Sequence, residues 1–346
     1  MTSRRSCLSV ATGLGIVLAL GGLTGVTGVN LLGQAPPSRA ETHLEAAKKA
    51  AGADHMAVFN RTCGNLTPAA PRPAGQSAPR PAPPDRSVWY REPAKVFDNL
   101  YFVGQSEYSA WAVTTSDGII IIDTLYDYAV EDEVVGGLKK LGLDPATIKY
   151  VIVSHGHADH SGGAKYLQET FGARVILSAA DWDLLEKGGP PRPKRDMVAT
   201  DGMKLTLGDT TLTLYLTPGH TLGTISTLIP VRDNGRPHMA AEWGGTAFNW
   251  VTNRSAYITP ERPDRFWFDS YSQSAQRFRD LAAQAGADVL IANHSDFDGS
   301  KAKLPALATR APGSTHPYVI GKEGVLRYLT VVDQCAQAGR EQLRRP

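Results

Sequence analysis

The stretch VIVSHGHADHSGG (residues 151–163) decides how this sequence is interpreted. Its first residues, 151–153, are apolar and predict the end of a buried strand. Three histidines and one aspartate then occupy the six positions 155–160, although the 346-residue chain contains only nine histidines. Because binding and catalytic groups are often built where strands end, this concentration of polar side chains predicts a functional site.

The spacing within this stretch suits metal ions. Side chains two positions apart point the same way in an extended segment, so His155 and His157 can bind one cation together. Asp159 and His160 follow where the chain turns into a helix, and adjacent positions diverge, so they can reach a second cation. Neutral imidazole and one carboxylate suit zinc, and paired catalytic metals lie roughly 3.5–4 Å apart.

Two further histidines end predicted strands elsewhere in the chain. His220 ends TLTLYLTPGH (211–220), and His294 ends ADVLIANH (287–294). A structural zinc site has a closed shell of four ligands, usually with thiolates, whereas six ligands without a nearby cysteine favour open positions and catalysis. The prediction is two Zn²⁺ per chain, with the ligands His155, His157, Asp159, His160, His220 and His294. The histidines expected not to bind metal are His43, His55, His238 and His316.

Strands and helices are predicted on both sides of this stretch. The four isoleucines at 119–122 indicate a strand covered on both faces. Gly208 and Asp209, between two alternating segments, indicate a hairpin. Helices are predicted over 41–62, 164–171, 264–284 and 321–340. Strands and helices of this kind are typical of an α/β protein.

Composition limits the class of partner. Apolar residues make up 42% of the chain and charged residues 20%, as in an ordinary globular protein. The net charge of +2 argues against a nucleic-acid binder that relies on a broad basic face. The expected partner is a small-molecule substrate; the oligomeric state stays open.

Residues 1–40 differ from the rest of the chain. Arg4 and Arg5 open an otherwise uncharged, Gly-rich apolar stretch that continues to Arg39. This pattern predicts an export signal, and SRRSCL (3–8) is similar to a twin-arginine signal of bacteria. The expected location is the periplasm or the exterior of a bacterium, with no membrane partner beyond the signal. The alternative is an N-terminal membrane anchor, because the uncharged stretch is long enough to span a bilayer.

Residues 41–87 are predicted to form a helix and a proline-rich arm, followed by a globular domain over 88–346. Residues 67–84 contain seven prolines, a composition that cannot form a core. Cys63 and Cys335 remain after removal of the signal. In an exported protein they can form a disulfide between the N-terminal segment and the last helix, or stay as two thiols, and the sequence leaves both states open.

Residues 155–160 carry HxHxDH, the signature of the metallo-β-lactamase superfamily, and TPGHT (217–221) and ANHSD (292–296) resemble its later ligand segments. The resemblance runs from about Val96 to Ser300. It implies a four-layer αβ/βα sandwich of two mixed β-sheets flanked by helices. The most similar branch is the third subclass of metallo-β-lactamases. By that resemblance the first zinc is held by His155, His157 and His220, and the second by Asp159, His160 and His294.

One segment departs from the family pattern. Glyoxalase II, lactonases and RNase Z carry an aspartate that bridges both metals, and third-subclass lactamases use a nearby serine instead. Gly244 and Gly245 stand at the corresponding place in this chain. The missing aspartate weakens the lactonase and glyoxalase interpretations, and the missing serine puts typical β-lactam contacts in doubt. Glu242 is not expected to replace either one.

The resulting hypothesis is hydrolysis of an amide or ester by a metal-bound hydroxide. Asp159 is the predicted catalytic residue, since it would ligate the second zinc and orient the hydroxide through its free oxygen. Asp123 either supports the ligand loop by hydrogen bonds or is an ordinary strand-end residue.

Two alternatives remain beside a β-lactamase-like hydrolase. One is a hydrolase of the same fold that acts on a non-lactam ester or lactone, and the other is a non-catalytic zinc-binding protein. Aromatic and amide side chains could line a cleft, although core packing is the stronger expectation for any one of them. These residues are Tyr108, Trp111, Trp243, Asn249 and Trp250.

Overall fold

The computed structural model describes residues 37–69 and 82–343. The predicted export signal, with its alternative of a membrane anchor, lies almost entirely outside these residues, as does the middle of the proline-rich arm. Within them, no helix has both the length and the apolar character needed to cross a membrane.

Two mixed β-sheets form the centre of the described chain. The first sheet contains β1 (Ala94–Phe97), β2 (Leu100–Phe102), β3 (Trp111–Thr115), β4 (Gly118–Ile122), β5 (Ile148–Ile152), β6 (Arg174–Ser178) and β7 (Met197–Ala199). The second contains β8 (Met203–Leu207), β9 (Thr210–Leu216), β10 (Ile225–Asp233), β11 (Arg236–Trp243) and β12 (Val289–Ala292). Strands β1 to β4 pair antiparallel and β4 to β7 parallel, whereas in the second sheet only β11 and β12 are parallel.

Helices cover the outer face of each sheet, which confirms the predicted αβ/βα sandwich. Over the first sheet lie α3 (Arg86–Trp89), a π-helical segment (Val130–Val135), α4 (Gly136–Lys140), α6 (Ala164–Phe171) and α7 (Ala179–Gly188). Over the second lie α1 (Arg39–Ala51), α2 (Met56–Cys63), α8 (Asn249–Thr252), α9 (Arg254–Tyr257), α10 (Asp264–Ala285) and α12 (Gly321–Gln342). The short helix α5 (Ala158–Ser161) lies in the histidine-rich loop, and α11 (Ser300–Ala308) lies against β1.

The isoleucines of β4 show why the first sheet is covered on both faces. Ile119 and Ile121 pack under the helices, and Ile120 and Ile122 pack between the two sheets. Each is at most 3% exposed, and burial of such a side chain stabilises the fold by roughly 1.5–3 kcal/mol. The run ends at Asp123, next to the end of the parallel strand β5.

Residues 41–62 form two helices, so the prediction of one continuous helix was wrong. Ser38 caps α1, and Gly52, with φ +53°, ends it because a left-handed residue cannot continue a right-handed helix. After a turn the chain resumes as α2. A disulfide joins Cys63, at the end of α2, to Cys335 in α12. Of the two states that the sequence left open for these cysteines, the structure therefore contains the disulfide.

Candidate metal centre

The histidine-rich loop follows β5 at the edge where β4 also ends. His157 has extended backbone geometry and stands just before α5, so Asp159 and His160 fall in the first turn of that helix. Glycine is required after the helix: a Cβ on Gly162 would lie 2.6 Å from Ala158 O, and one on Gly163 would lie 2.5 Å from Thr124 O. Gly162 and Gly163, the last two residues of the stretch 151–163, therefore let the loop pack tightly against the chain that follows β4.

The structure brings the six predicted ligands into two groups. The first consists of His155, His157 and His220, and the second of Asp159, His160 and His294. Within each group one ligand atom per residue lies within 4.8 Å of the others. The first sheet supplies the 155–160 loop, and the second sheet supplies His220 after β9 and His294 after β12. The division matches the one implied by the family resemblance.

Each histidine of the first group has an outer ring nitrogen that is hydrogen-bonded to the surrounding protein. These bonds fix the direction of the other, inner ring nitrogen of each histidine. His155 Nδ1 donates to Gly244 O at 2.8 Å, and His220 Nδ1 donates to Ala247 O at 2.6 Å, because a carbonyl can only accept. His157 Nε2 lies 2.9 Å from the hydroxyl oxygen of Tyr257. The nitrogens left over are His155 Nε2, His157 Nδ1 and His220 Nε2, and all three point inward.

These inner nitrogens fit a metal ion. His220 Nε2 lies 3.1 Å from His155 Nε2 and 3.2 Å from His157 Nδ1. Burial, followed by the neighbouring imidazoles, lowers the pKa of both His155 and His220 well below the ordinary value, so both rings are neutral. With Nδ1 protonated, each Nε2 carries a lone pair, and two lone pairs at this distance repel unless a cation lies between them.

The second group combines imidazole with carboxylate. Asp159 Oδ2 lies 3.1 Å from His160 Nε2 and 3.5 Å from His294 Nε2, and the two imidazole nitrogens are 3.2 Å apart. Burial lowers the pKa of His160, but Asp159 and Asp123 outweigh it and raise that pKa to about 10. A divalent cation here would take the place of that proton, since a metal ligand must be deprotonated.

Asp123 supports the ligand loop, as one of its two sequence interpretations predicted. Its carboxylate accepts hydrogen bonds from Ser154 N at 2.7 Å and from Ser154 Oγ at 2.8 Å. Oδ2 also lies 2.9 Å from His160 Nδ1, on the far side of that ring from Asp159. A carboxylate behind a ligating histidine orients the ring and increases its basicity.

Sequence analysis missed a second supporting carboxylate, Asp181 at the start of α7. It accepts hydrogen bonds from Gly156 N at 2.8 Å, Thr221 Oγ1 at 2.8 Å and Gly223 N at 3.0 Å. Burial raises its pKa to about 6, although these donors oppose the shift. Asp181 thus ties the loop of the first two histidines to the loop of His220. No motif marked it, because its partners come from two distant segments.

Gly244 and Gly245 leave no space for a bridging or polar side chain. A Cβ on Gly244 would lie 1.7 Å from Ile225 O, and one on Gly245 would lie 2.5 Å from His220 Cβ. The carbonyl of Gly244 instead accepts from His155 and, at 2.7 Å, from Asn293 Nδ2. This segment therefore supports the ligands through its backbone.

Glu242 lies outside both groups of ligands. It is 1% exposed and faces Thr227 of the neighbouring strand β10. Burial, and then the charge of Asp123, raise its pKa well above the ordinary value, which favours the uncharged carboxyl. Among the described residues no basic nitrogen comes within 4 Å of its carboxyl oxygens. The expectation that Glu242 does not replace the missing aspartate agrees with this placement.

Of the five candidates for a cleft, two lie beside the ligands. The Tyr108 ring centre is 5.1 Å from that of His294, and Asn249 Nδ2 is 3.5 Å from His220 Nε2. Trp111, Trp243 and Trp250 are at most 1% exposed and belong to the cores. The four histidines not expected to bind metal bond elsewhere: His43 to Gln334, His55 to Gly324 O, His238 to Asp288 and His316 to Val96 O.

Three cavities lie near the predicted ligands, and His157 lines two of them. One of about 840 Å³ is lined by Trp89, Tyr108 and Tyr126, and one of about 520 Å³ is lined by His157 and Leu184. A third, of about 300 Å³, lies beside His157 and Tyr257. Together they are large enough for a small-molecule substrate.

Comparison with known proteins finds similarity to metallo-β-lactamases and to a lactonase. Residues 103–233 match the sequence model of the metallo-β-lactamase superfamily. The chain is 28% identical over 201 residues to the N-acyl homoserine lactonase AttM of Azorhizobium caulinodans, a match that covers 54% of this chain and 73% of the lactonase. It is 30% identical over 132 residues to metallo-β-lactamase type 2 of Bacillus cereus, covering 38% of this chain and 50% of that enzyme. The chain thus spans half the length of the Bacillus enzyme.

A solved structure extends the similarity to more than two thirds of this chain. BJP-1, a subclass B3 metallo-β-lactamase of Bradyrhizobium japonicum, is 27% identical and has a TM-score of 0.58. The match covers 69% of this chain and 89% of that protein. The similarity to the third subclass, inferred from the motifs, is confirmed.

Proposed function

We propose that the chain is a di-zinc enzyme of the metallo-β-lactamase superfamily, because residues 103–233 match that family and the two groups of donors suit a metal-dependent hydrolase. In this proposal it hydrolyses an amide or ester bond of a small molecule in the manner of a β-lactamase. The observation that carries the proposal is the pair of donor groups, each with inward-pointing atoms and each held by outer hydrogen bonds. Zinc, when bound, supplies a Lewis acid that polarises a carbonyl and lowers the pKa of water to about 7.

The first group would hold one zinc through His155 Nε2, His157 Nδ1 and His220 Nε2. The second would hold the other through Asp159, His160 Nε2 and His294 Nε2. Gly244 O, Ala247 O and Tyr257 fix the outer nitrogens of the first group, so these rings need no reorientation when metal binds.

Asp159 has the catalytic role in this proposal. Burial opposes ionisation of its carboxyl, but the imidazoles of His160 and His294 hold its pKa well below the ordinary range. The group is therefore ionised at neutral pH. Its Oδ2 faces the imidazoles, which leaves Oδ1 to accept a hydrogen bond from the attacking water and so to orient it.

The test combines metal analysis with turnover. Purified protein should contain two zinc atoms per chain by elemental analysis and hydrolyse nitrocefin in a chelator-sensitive manner. Asp159→Asn should lower kcat by roughly 10²–10⁴-fold, the usual contribution of a positioned acid or base. Asp183→Asn, an exposed aspartate paired with Arg195, is the matched control and should keep wild-type rates. Full activity of the Asp159→Asn variant would contradict the assigned role.

A lactone or non-lactam ester is the second candidate substrate. Similarity to AttM supports it. Gly244 and Gly245 do not decide between the two candidates, because lactonases carry an aspartate and third-subclass lactamases a serine at this place. Chelator-sensitive hydrolysis of an acyl lactone or aryl ester, without nitrocefin turnover, would favour this candidate. Zinc binding with no turnover of any of these substrates would contradict a hydrolase and favour a non-catalytic metal-binding protein.

The proposed location is the periplasm or the exterior of a bacterium. The twin-arginine-like start of the sequence supports it, and so does the disulfide between Cys63 and Cys335, since disulfides persist in oxidising compartments. Fractionation of cells that produce the full chain tests it: recovery in the cytoplasm with reduced cysteines would contradict export.

A further inference from the structure

His294 differs from the other predicted histidine ligands in how its ring is held. Each of the other four has an outer ring nitrogen within 2.9 Å of an oxygen atom of the protein: His155 of Gly244 O, His157 of the Tyr257 hydroxyl, His160 of Asp123 Oδ2 and His220 of Ala247 O. His294 Nε2 faces Asp159 and His160, so Nδ1 is its outer nitrogen. Within residues 37–69 and 82–343, no protein group forms a hydrogen bond with that Nδ1.

The position of His294 therefore depends on the segment 293–299, which carries it from β12 to α11. Its ring contacts Tyr108 and Phe297, with distances of 5.1 and 5.0 Å between the ring centres. Contacts between rings tolerate a range of orientations, whereas a hydrogen bond to Nδ1 would select one. The backbone of the segment must supply the remaining constraint.

The first part of this segment is held by the other sheet. In the turn between β2 and β3, Ser109 N donates to Asn293 O at 3.0 Å, and Glu107 O accepts from Ser295 N at 3.1 Å. These bonds hold the backbone on both sides of His294. Residues 296–299 then lead the chain back into α11.

Asp298 closes the segment. Its Oδ2 accepts from Ala292 N, at the end of β12, at 3.0 Å, and its Oδ1 accepts from Ser300 N, at the start of α11, at 2.8 Å. The residue is 4% exposed. One buried carboxylate thus joins the two elements between which His294 lies. Asp181 has the same relation to the first group, since it also accepts from backbone N–H groups of two segments.

The surroundings of Asp298 support its carboxylate. Tyr318 is fully buried and donates its hydroxyl to Ser300 Oγ at 2.9 Å, and Lys303 Nζ lies 5.1 Å from the centre of the Tyr318 ring. Burial raises the pKa of Asp298 to about 6, although Lys303 and the bonds from Ser300 and Ala292 oppose the shift. At neutral pH the group is therefore mainly ionised, and both oxygens accept, as its two backbone donors require.

We propose that Asp298 is a positioning residue for the second group: it holds the segment that carries His294 and thereby sets the zinc affinity of this group without affecting the first. The inference rests on the proposed di-zinc function. Groups behind metal ligands commonly contribute to affinity by fixing the ligands in place. The zinc affinities of the two groups are then controlled separately, by Asp181 for the first and by Asp298 for the second.

Zinc affinity measured on one group at a time tests the proposal. The full chain is prepared metal-free and titrated with zinc in competition with a chromogenic chelator. In the His220→Ala background, which leaves the second group intact, Asp298→Asn should raise the dissociation constant for zinc about tenfold. The reason is that the new amide NH₂ cannot accept, so the N–H of Ala292 or Ser300 loses its acceptor. In the His294→Ala background, which leaves the first group intact, the same substitution should leave the dissociation constant unchanged.

Asp296→Asn is the matched control. Asp296 lies in the same segment and closer in sequence to His294, but it is exposed and pairs with Lys301 Nζ at 3.0 Å. The substitution removes the same charge without removing the two backbone hydrogen bonds. Zinc affinity should therefore stay unchanged in both backgrounds.

Ser300→Ala is a milder second variant. It removes the hydroxyl that accepts from Tyr318 and supports the Asp298 carboxylate. The dissociation constant of the second group should rise about threefold, as expected for the loss of one neutral hydrogen bond. If Asp298→Asn does not fold, this variant decides the same comparison.

The outcomes separate this inference from the function on which it rests. Equal weakening of zinc binding in both backgrounds would show a general effect on the fold and would overturn the inference. So would unchanged affinity of the second group, or an equal effect of Asp296→Asn. Failure of the wild type to bind zinc at all would count against the di-zinc function itself and would overturn the inference with it.

Discussion

Gly245 controls how closely the backbone approaches the first group of ligands. Its Cα lies behind His220, and an added Cβ would lie 2.5 Å from Cβ and 2.8 Å from Cγ of that histidine. His220 is itself held by the hydrogen bond from its Nδ1 to Ala247 O. The ring therefore cannot move away without losing the bond that fixes its orientation.

Replacement of Gly245 by serine should accordingly damage the metal centre. We expect a loss of about 1–3 kcal/mol in the free energy of unfolding, the usual cost of forcing extra atoms into a packed site. Zinc affinity at the first group should fall by at least tenfold, because outer contacts of ligating histidines contribute about 10–100-fold to metal affinity. Urea denaturation and competition with a chromogenic chelator measure the two effects.

Gly188 provides the control for this substitution. A Cβ there would meet no atom within 4 Å, and its φ is not in the left-handed region. Gly188→Ser should therefore keep wild-type stability and zinc affinity. If Gly245→Ser also binds zinc as tightly as the wild type, the close approach to His220 has no role in metal binding.

At the same scale, the sequence allowed the two groups of donor side chains to be predicted but not the residues that hold them. The ligands follow three strands in a characteristic spacing, so pattern and order are sufficient. Asp181 and Tyr257 contact ligand loops that are far away in sequence, and nothing in their own neighbourhoods marks them. Asp123 was identifiable because it directly follows a buried strand.

Among the elements, α1, α2 and α12 form a unit against the outer face of the second sheet. The disulfide connects α2 to α12 across 272 residues of sequence. Cys335 is fully buried, and the Thr62 hydroxyl donates to its sulfur at 3.2 Å. The N-terminal helices are thus attached to the sandwich by both packing and a covalent bond.

Removal of this disulfide should destabilise the protein without altering the metal ligands. The double variant Cys63→Ala/Cys335→Ala is expected to lose about 2–5 kcal/mol in the free energy of unfolding, because the unfolded chain regains the freedom of a long loop. Chemical denaturation under oxidising conditions measures the loss. Zinc content should be unchanged, since neither cysteine belongs to a ligand group.

Reducing agent supplies the control for that variant. Dithiothreitol in denaturant should lower the stability of the wild type towards that of the double variant and leave the variant unaffected. Equal stability of wild type and variant under oxidising conditions would show that the crosslink does not constrain the unfolded chain.

The elements also show where sequence patterns were sufficient. The paired strands β8 and β9 were predictable because Gly208, with φ +53°, suits the tight turn between two alternating segments. Gly52, with the same φ, carried no such flanking pattern, so the break between α1 and α2 was missed. The pairing of β11 with β12 joins segments far apart in sequence and depends on tertiary packing.

At the scale of the whole molecule, the two halves of the sandwich meet at the proposed metal centre. The first sheet supplies the loop that carries His155 to His160, and the second supplies His220 and His294. Each group of ligands therefore contains side chains from both sheets. A metal ion bound to either group would connect the two halves in addition to the apolar packing between them.

Metal removal should for that reason lower the stability of the entire fold and not only abolish activity. A ligand that binds only the folded state, present at 1,000 times its dissociation constant, stabilises it by about 4.1 kcal/mol. Dialysis against a chelator should lower the midpoint of thermal unfolding by several degrees, and added zinc should restore it while added magnesium, which prefers oxygen ligands, should not. In His220→Ala, which lacks a ligand of the first group, the recovery with zinc should be smaller than in the wild type. Identical unfolding of metal-free and zinc-loaded wild-type protein would contradict a metal that connects the two sheets.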